Sequence, residues 1–475
     1  MRALIILILF LTLVGCMVGP NYQRPSVDVP PNWRLEDKEA KDVANTTWWE
    51  QFQDPVLNGL IDQALKGNKD VKIAAARVEE YIGRYGFTRS ALFPQIGVGA
   101  SVGGERLSEK GTTPLSPAME NPAPFQQIAL NGSWEIDLWG KLRRATEAAQ
   151  AALLATEENR RALVLSLVAA VANGYVNLRD LDKQLEVAVA TAQSRKGSYE
   201  IFKLRFGGGI VSDIELNQAK AIYEQALSTI PLLQKNITVQ ENDLNLLLGR
   251  NPGPIPRGKT IDELSLPAVP AGLPSDLLTN RPDILRAEQE LIAANANIGV
   301  AKALYFPTIS LTGLFGFASK DLSDLFTGPA NIWSLALPIT APIFTGGAIA
   351  GQVKATEAIQ QQTLFSYQKA IQTAFREVVD ALTAQMRTRE QLQAQAREVE
   401  AWRNYAKTAW LRYDNGYTSY LEVLYAEQNL FNSELLYTQT QGVLFQALVN
   451  LYKAMGGGWV TEADRRTMEA AASGK

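Results

Sequence analysis

Apolar and polar positions alternate with period two in four short stretches and with period three to four in two very long ones. In 95–102, Ile96, Val98, Ala100 and Val102 share one face, and glycine or polar residues take the other. In 128–138, Ile128, Leu130, Trp134, Ile136 and Leu138 oppose Asn131, Ser133, Glu135 and Asp137. Ile309, Leu311, Phe315 and Phe317 alternate with Thr308, Ser310 and Thr312, and Trp333, Leu335, Leu337 and Ile339 form the last such row. Period two predicts strands with one apolar face. They suit either an outer-membrane barrel, lipid outside and water inside, or a soluble antiparallel sheet with one face on a core. The joins 105–124 and 318–330 are polar and proline-bearing and predict loops, which makes two hairpins. Four tilted strands cannot close a barrel, since the smallest use about eight. Either the strands are not a barrel, or several chains share one.

The long stretches 141–206 and 348–413 lack proline and contain little glycine. Val164, Val168, Val171, Tyr175, Leu178, Leu185 and Val189 recur at alternating spacings of three and four, as do Ile371, Phe375, Val378, Leu382, Leu392, Ala396 and Val399. This is a heptad seam. At 1.5 Å per residue each helix would run about 100 Å. Glycine-bearing turns lead into return helices at 212–248 and 419–455, the first with Pro231 inside it and so expected to kink. Shorter helices are expected at 57–91 and 281–304.

The two sets are copies of one plan. "NKDVKIAAARVEEYIGRYGFTRSALFPQIG" (68–97) aligns with "RPDILRAEQELIAANANIGVAKALYFPTIS" (281–310) at an offset of 213, which places Asp70 on Asp283, Arg89 on Lys302 and Pro94 on Pro307. "LRFGGGIVSDIELNQA" (204–219) meets "LRYDNGYTSYLEVLYA" (411–426) at an offset of 207. Ordered matches of this kind mark an internal repeat. The resulting division is 1–15 signal peptide, 16–56 N-terminal segment, 57–248 first repeat, 249–280 linker, 281–455 second repeat and 456–475 polar tail.

Composition changes the picture at one residue. The 475-residue chain has no histidine and one cysteine, Cys16, directly after Arg2 and an apolar run from Ala3 to Val14. That run is too short to span a bilayer and reads as a secretory signal. Ending in Leu13-Val14-Gly15, it looks like a bacterial lipobox, in which Cys16 takes diacylglycerol and palmitate and becomes the mature N-terminus; a plain signal peptide is the alternative. Net charge is −3, with no basic stripe for nucleic acid. No later segment holds some 18 consecutive apolar residues, so any further membrane crossing falls to strands. Gly99-Ala100-Ser101-Val102-Gly103 matches G-x-S-x-G, but that elbow needs a strand-to-helix turn and a histidine. Gly207-Gly208-Gly209 lacks the lysine and Ser/Thr of a phosphate loop. No carboxylates stand at metal-ligand spacing. The residues point to no catalytic site, no metal and no cofactor beyond the covalent lipid on Cys16.

Taken together, Cys16, Pro20-Asn21-Tyr22, Trp48-Trp49, "SWEIDLWGKLRRATEAA" (133–149), "LLGRNPG" (247–253), "LPSDLLTNRPDI" (273–284), "FPTISLTG" (306–313) and "NLYKAMGGGW" (450–459) resemble a TolC-family outer-membrane factor of the lipoprotein branch, the NodT and OprM type. The resemblance covers nearly the whole mature chain. It implies an α+β membrane protein: a homotrimer whose twelve strands, four per chain, form one β-barrel continued by an α-helical barrel across the periplasm, with a mixed equatorial region. It implies a passive conduit in the outer membrane of a Gram-negative bacterium, served by a periplasmic adaptor and an inner-membrane pump of the resistance–nodulation–division class. Adaptor docking would fall at the turns Gly208-Gly209-Ile210 and Asn415-Gly416-Tyr417. The periplasmic gate would include Leu421, Glu422 and Tyr425. Tyr425 fills the family's gate aspartate position and Gln428 an arginine position, so an ionic lock at these two positions is not expected; a ring of Glu422 and Glu427 carboxylates would favour cations. The alternative is a non-channel envelope lipoprotein whose helices act as a coiled-coil spacer.

Overall fold

The computed structural model describes residues 17–27, 29–30, 33, 47–112, 116, 120–270, 274–456 and 459–460. The signal segment, Cys16 and residues 461–475 lie outside them. The chain divides into two units, one comprising 1–26, 77–156 and 287–367, the other 27–76, 157–286 and 368–475.

The first unit is built on an antiparallel sheet of β1 (Gln95–Glu105), β2 (Ala123–Glu135), β3 (Thr308–Ser319) and β4 (Asn331–Ala336), in that spatial order, with β5 (Ile339–Thr340) also paired to β3. The registers place Val98, Leu130, Phe315 and Trp333 directly opposite one another across all four strands, on one face. They are 71, 52, 55 and 74 % exposed, so nothing among the described residues covers this apolar row. The neighbouring row faces the other way and is small across β1 to β3, as Gly99, Ala129 and Gly316, before it ends on Ile332: a side chain on Gly316 would lie 2.7 Å from the Ala129 Cβ. The last strand, read in the sequence as one row through Ile339, is split, because Pro338 has no N–H to give the ladder. Its carbonyl still accepts from Ser310 N (3.1 Å), and β5 continues the register of β4. β2 stops at Glu135, short of the expected 138, because Asp137 turns away to accept from Leu142 N and Arg143 N at a helix start.

The expected helix 57–91 is two helices, α1 (Pro55–Gly67) and α2 (Lys69–Ser90). Asn68 makes the break: its backbone leaves helical geometry, its Oδ1 accepts from Val71 N (3.0 Å), and its Nδ2 donates to the Leu247 carbonyl (2.9 Å). The long pair α3 (Lys141–Gly207) and α4 (Asp213–Leu247) follow. α4 stays continuous through Pro231, with Ser228 and Thr229 hydroxyls donating to the Gln225 carbonyl just before it. After the short α5 (Leu277–Asn280) come α6 (Pro282–Ala303), α7 (Ala348–Asp414) and α8 (Tyr420–Met455). α2 and α6 are offset by 213 residues at both ends, α3 and α7 by 207 at both ends, matching the offsets read in the sequence.

In the second unit the α3 seam packs where it is fully apolar. Val164, Val168, Val171, Tyr175 and Leu178 are buried against Leu57, Leu60 and Ile61 of α1 and Phe445 and Val449 of α8. One window of α3 is long and apolar enough to pass for a membrane span, but most of it is buried inside the structure. The seam is less regular than its spacing suggests: Val189 and Ala396 are exposed, Gln385 and Gln395 are buried instead, and Val399 at the far end is buried again. The N-terminal segment and tail contribute more than irregular chain. Trp48 stacks on Tyr452 (5.2 Å) and Trp49 meets Trp459 edge-on (5.0 Å), so the polar tail begins only after the buried Val460. Asp54 caps α1 through Val56 N (2.9 Å) and also accepts from the Tyr175 hydroxyl (2.6 Å) and Lys259 N (3.0 Å), which ties the linker to α3.

Asp180 of α3 is buried, accepts from Gln184 Nε2 (3.0 Å), and sits against Gly442 of α8. Burial pushes its pKa from 3.8 up to about 6. The native state therefore binds this proton more tightly than the unfolded chain, so stability falls as pH rises from about 4 to 6 and the full cost, about 3 kcal/mol, is present above 6. Asp180→Asn is expected to raise the melting temperature of the detergent-solubilised protein at pH 7.5 and to flatten its change between pH 4 and 6. A lower melting temperature for the variant at pH 7.5 would contradict this.

Candidate functional site

The two interhelical turns share one backbone solution. At the end of α3, Gly209 N donates to the Phe206 carbonyl and Ile210 N to the Arg205 carbonyl (both 2.9 Å). At the end of α7, Gly416 N donates to Tyr413 and Tyr417 N to Arg412 (2.9 and 2.8 Å). These Schellman-type closures need a left-handed residue, and Gly209 and Gly416 supply it at φ 75° and 72°. The turns lie side by side, with Arg205 of one 3.9 Å from Asp414 of the other. Beneath them an aromatic core of Phe202, Tyr413 and Tyr420 fixes the helix ends, the Phe202 and Tyr420 rings 4.1 Å apart. Ile210 and Tyr417 remain 75 and 76 % exposed, and a side chain added at Gly209 or Gly416 would meet nothing within 4 Å. Exposed apolar tips over open glycine surface can admit a partner backbone closely.

The return helices start differently. Ser212 caps α4 with a reciprocal pair: its Oγ accepts from Glu215 N (3.3 Å), and its own N donates to Glu215 Oε2 (2.8 Å). Ser419 makes no side-chain cap for α8. The corresponding Glu422 instead accepts from the Thr418 and Tyr405 hydroxyls and lies 3.8 Å from the Arg412 guanidinium.

Leu421 and Tyr425, one turn apart, project from α8 and are 63 and 57 % exposed, while Val423 and Leu424 between them and Ala426 just beyond are buried. One edge of Tyr425 meets Trp402 of α7 at 5.7 Å. The two carboxylates expected near the gate sit in different surroundings. Glu427 points inward, its Oε1 takes the Trp410 indole N–H (2.6 Å), and burial raises its pKa. Glu422 is engaged by the three partners above. The Glu422 side chain keeps 27 % of its surface exposed, whereas Glu427 Oε2 is buried.

Sequence reasoning missed Arg195. This α3 residue is 2 % exposed and reaches two other helices. Nη1 donates to the Ile222 carbonyl of α4 (3.0 Å), Nη2 to the Glu427 carbonyl and Gln428 Oε1 of α8 (both 3.4 Å), and the guanidinium lies over the Phe431 ring (5.1 Å). Gln428 thus does meet an arginine, but one from another helix. The signal was present: Ala188, Ala192, Arg195, Tyr199 and Phe202 follow helical spacing, so Arg195 occupies an otherwise inward-facing stripe.

Other motifs resolve without chemistry. Gly99–Gly103 lies inside β1, not at a strand-to-helix turn. Among the described residues, no three acidic or sulfur side chains gather at metal-binding distance. Cys16 itself is outside the described residues, but the chain following it is held within the first unit. Val18 N donates to the Trp139 carbonyl (3.0 Å), Arg144 Nη2 to Asn21 Oδ1 (2.7 Å), and the Tyr22 hydroxyl to Glu288 (3.0 Å).

The sequence profile described as outer membrane efflux protein matches residues 60–250 and 273–457. The chain is 38 % identical over 458 residues to the solvent efflux pump outer membrane protein SrpC of Pseudomonas putida, covering 94 % of this chain and 97 % of that one. It is 36 % identical over 455 residues to the cation efflux system protein CusC of Escherichia coli, with the same coverage. Among solved structures it is similar to CusC (TM-score 0.84, 34 % identity, 93 % of this chain and 100 % of that one). It is also similar to the Campylobacter jejuni CmeC outer membrane channel (TM-score 0.89, 27 % identity, 96 % and 99 %).

Proposed function

The chain belongs to the outer membrane efflux protein family and is the outer-membrane channel of a tripartite efflux system; from that premise we propose that three copies close one twelve-stranded barrel through which substrates pass passively. The observation that carries this reading is the sheet: among the described residues β1 and β4 have unpaired edges, and nothing covers the row Val98, Leu130, Phe315 and Trp333. Strands with an apolar outer face and a small or polar inner face are what a membrane barrel requires. A coiled-coil spacer has no use for such a row. The element bounds that recur at offsets of 213 and 207 are read as a two-fold internal repeat, each half giving one hairpin of strands and one of long helices.

A periplasmic adaptor, on this reading, docks at Gly208-Gly209-Ile210 and Asn415-Gly416-Tyr417, linking the channel to an inner-membrane pump of the resistance–nodulation–division class. Leu421 and Tyr425 line the gate, which closes by aromatic and apolar contact, and Glu422 braces the second turn through Arg412 and Tyr405. No step of this function breaks a covalent bond. Cys16 carries diacylglycerol and palmitate in the outer leaflet's periplasmic counterpart, supported by the fixed course of residues 17–22 along the first unit.

Three experiments test these parts. Tyr425→Ala trimers in planar bilayers are expected to show a higher single-channel conductance than wild type, and unaltered conductance in intact, inserted trimers contradicts a gating role. Gly209→Trp and Gly416→Trp should each abolish efflux while trimers remain, because the bulky ring covers an otherwise open docking surface; normal export by both would remove the turns as the contact. Cys16→Ser should lose palmitate labelling and accumulate precursor, and labelling that survives the substitution rules out lipidation there.

A further inference from the structure

Arg195 and Glu427 are opposite charges on different helices, close together, buried, and not joined. Arg195 Nη2 reaches the Glu427 backbone carbonyl (3.4 Å), while the Glu427 carboxylate faces the other way, onto Trp410 of α7. Three polar atoms in this one region, Arg195 Nε, Glu427 Oε2 and the Tyr420 hydroxyl, are buried without a hydrogen-bond partner. Arg195 and Glu427 feel each other's charge, and Tyr420 feels both. Orphaned buried charge is costly, and an ion pair broken across two helices costs most. Burial accordingly shifts both groups toward their neutral forms, Glu427 upward and Arg195 downward.

We infer that Arg195 and Glu427 form a two-position latch on α8. In the position seen, Trp410 holds the Glu427 carboxylate, and Arg195 holds α8 only through the Glu427 carbonyl and Gln428. In the second, the carboxylate leaves Trp410 and pairs with Arg195, which satisfies Nε and Oε2 together. The exchange releases α8 from α7 and draws it onto α3. Tyr425, which also contacts α7 through Trp402, precedes Glu427 by two residues and moves with it. The latch itself stands on the geometry of these three helices; its effect on conduction rests on reading Tyr425 as part of the gate.

Two substitutions push the latch in opposite directions. Glu427→Gln keeps an oxygen for the Trp410 N–H and removes the charge that Arg195 would capture, so it fixes the first position. Trp410→Phe removes the competing donor, so it populates the second. With spin labels at Gln193→Cys on α3 and Leu436→Cys on α8, Trp410→Phe trimers should show a shorter α3–α8 distance than wild type. Glu427→Gln should show an unchanged or longer one, and the double variant should match Glu427→Gln. Single-channel conductance should move with opposite sign in the two single variants. Arg195→Gln, which leaves Trp410 and its packing intact, should match Glu427→Gln in sign and provides the answer if Trp410→Phe trimers do not assemble. Distances that shift the same way in Trp410→Phe and Glu427→Gln, or a double variant that follows Trp410→Phe, overturn the latch and leave a simple packing or water-bridged cluster. Distances that shift as expected without any change in conductance keep the latch and instead contradict the gate reading.

Discussion

A strand edge has no place in hydrocarbon. Every unpaired N–H or C=O there costs several kcal/mol, because no water is present to replace the missing ladder. Among the described residues the sheet has two such edges, β1 and β4, and an apolar row across its full width that none of them covers. Within one chain the two demands conflict: the row asks for lipid and the edges forbid it. Pairing β1 of one copy with β4 of the next, repeated until the ring closes, satisfies both. The tight inner row, where Gly316 leaves room only for Ala129, then faces the lumen.

The second unit answers a different problem, how to hold very long helices without a conventional globular core. Aromatic residues from both ends of the chain gather around α3 and α8, and Asp54 joins a helix cap, a tyrosine and the linker in one buried node. Toward the turns the two halves diverge. One return helix has a complete capping box at Ser212; the other has Glu422 diverted to Arg412 and Tyr405, and a poorly matched pair of buried charges above it. These departures from local ideality fall on the same stretch of α8 as Tyr425.

Much of this was legible in the sequence. The long helices and their turns follow their predicted bounds closely, because an uninterrupted apolar period and a glycine stop leave few alternatives. The family resemblance and the efflux role also rest on motifs that the comparisons bear out. The errors have physical causes. Asn68 interrupts a helical pattern by bonding its own backbone and the distant Leu247, a contact that periodicity does not encode. Pro338 splits a row that alternation alone would leave whole. Trp459 sits in a polar-looking tail, but its partners Trp48 and Trp49 lie some 400 residues earlier. Nothing in the sequence around Glu427 marks it as inward-facing; the packing of Trp410 shows it. Arg195 lay unnoticed on an apolar stripe because charge usually is exposed.

The most direct measurement is the mass of the natively folded, detergent-solubilised protein, corrected for bound detergent. Closure of the sheet by neighbouring copies predicts three chains per particle and none smaller while the fold is intact. A monodisperse single chain with undiminished helical and strand signal would show that the edges of β1 and β4 are satisfied some other way, and would contradict the account.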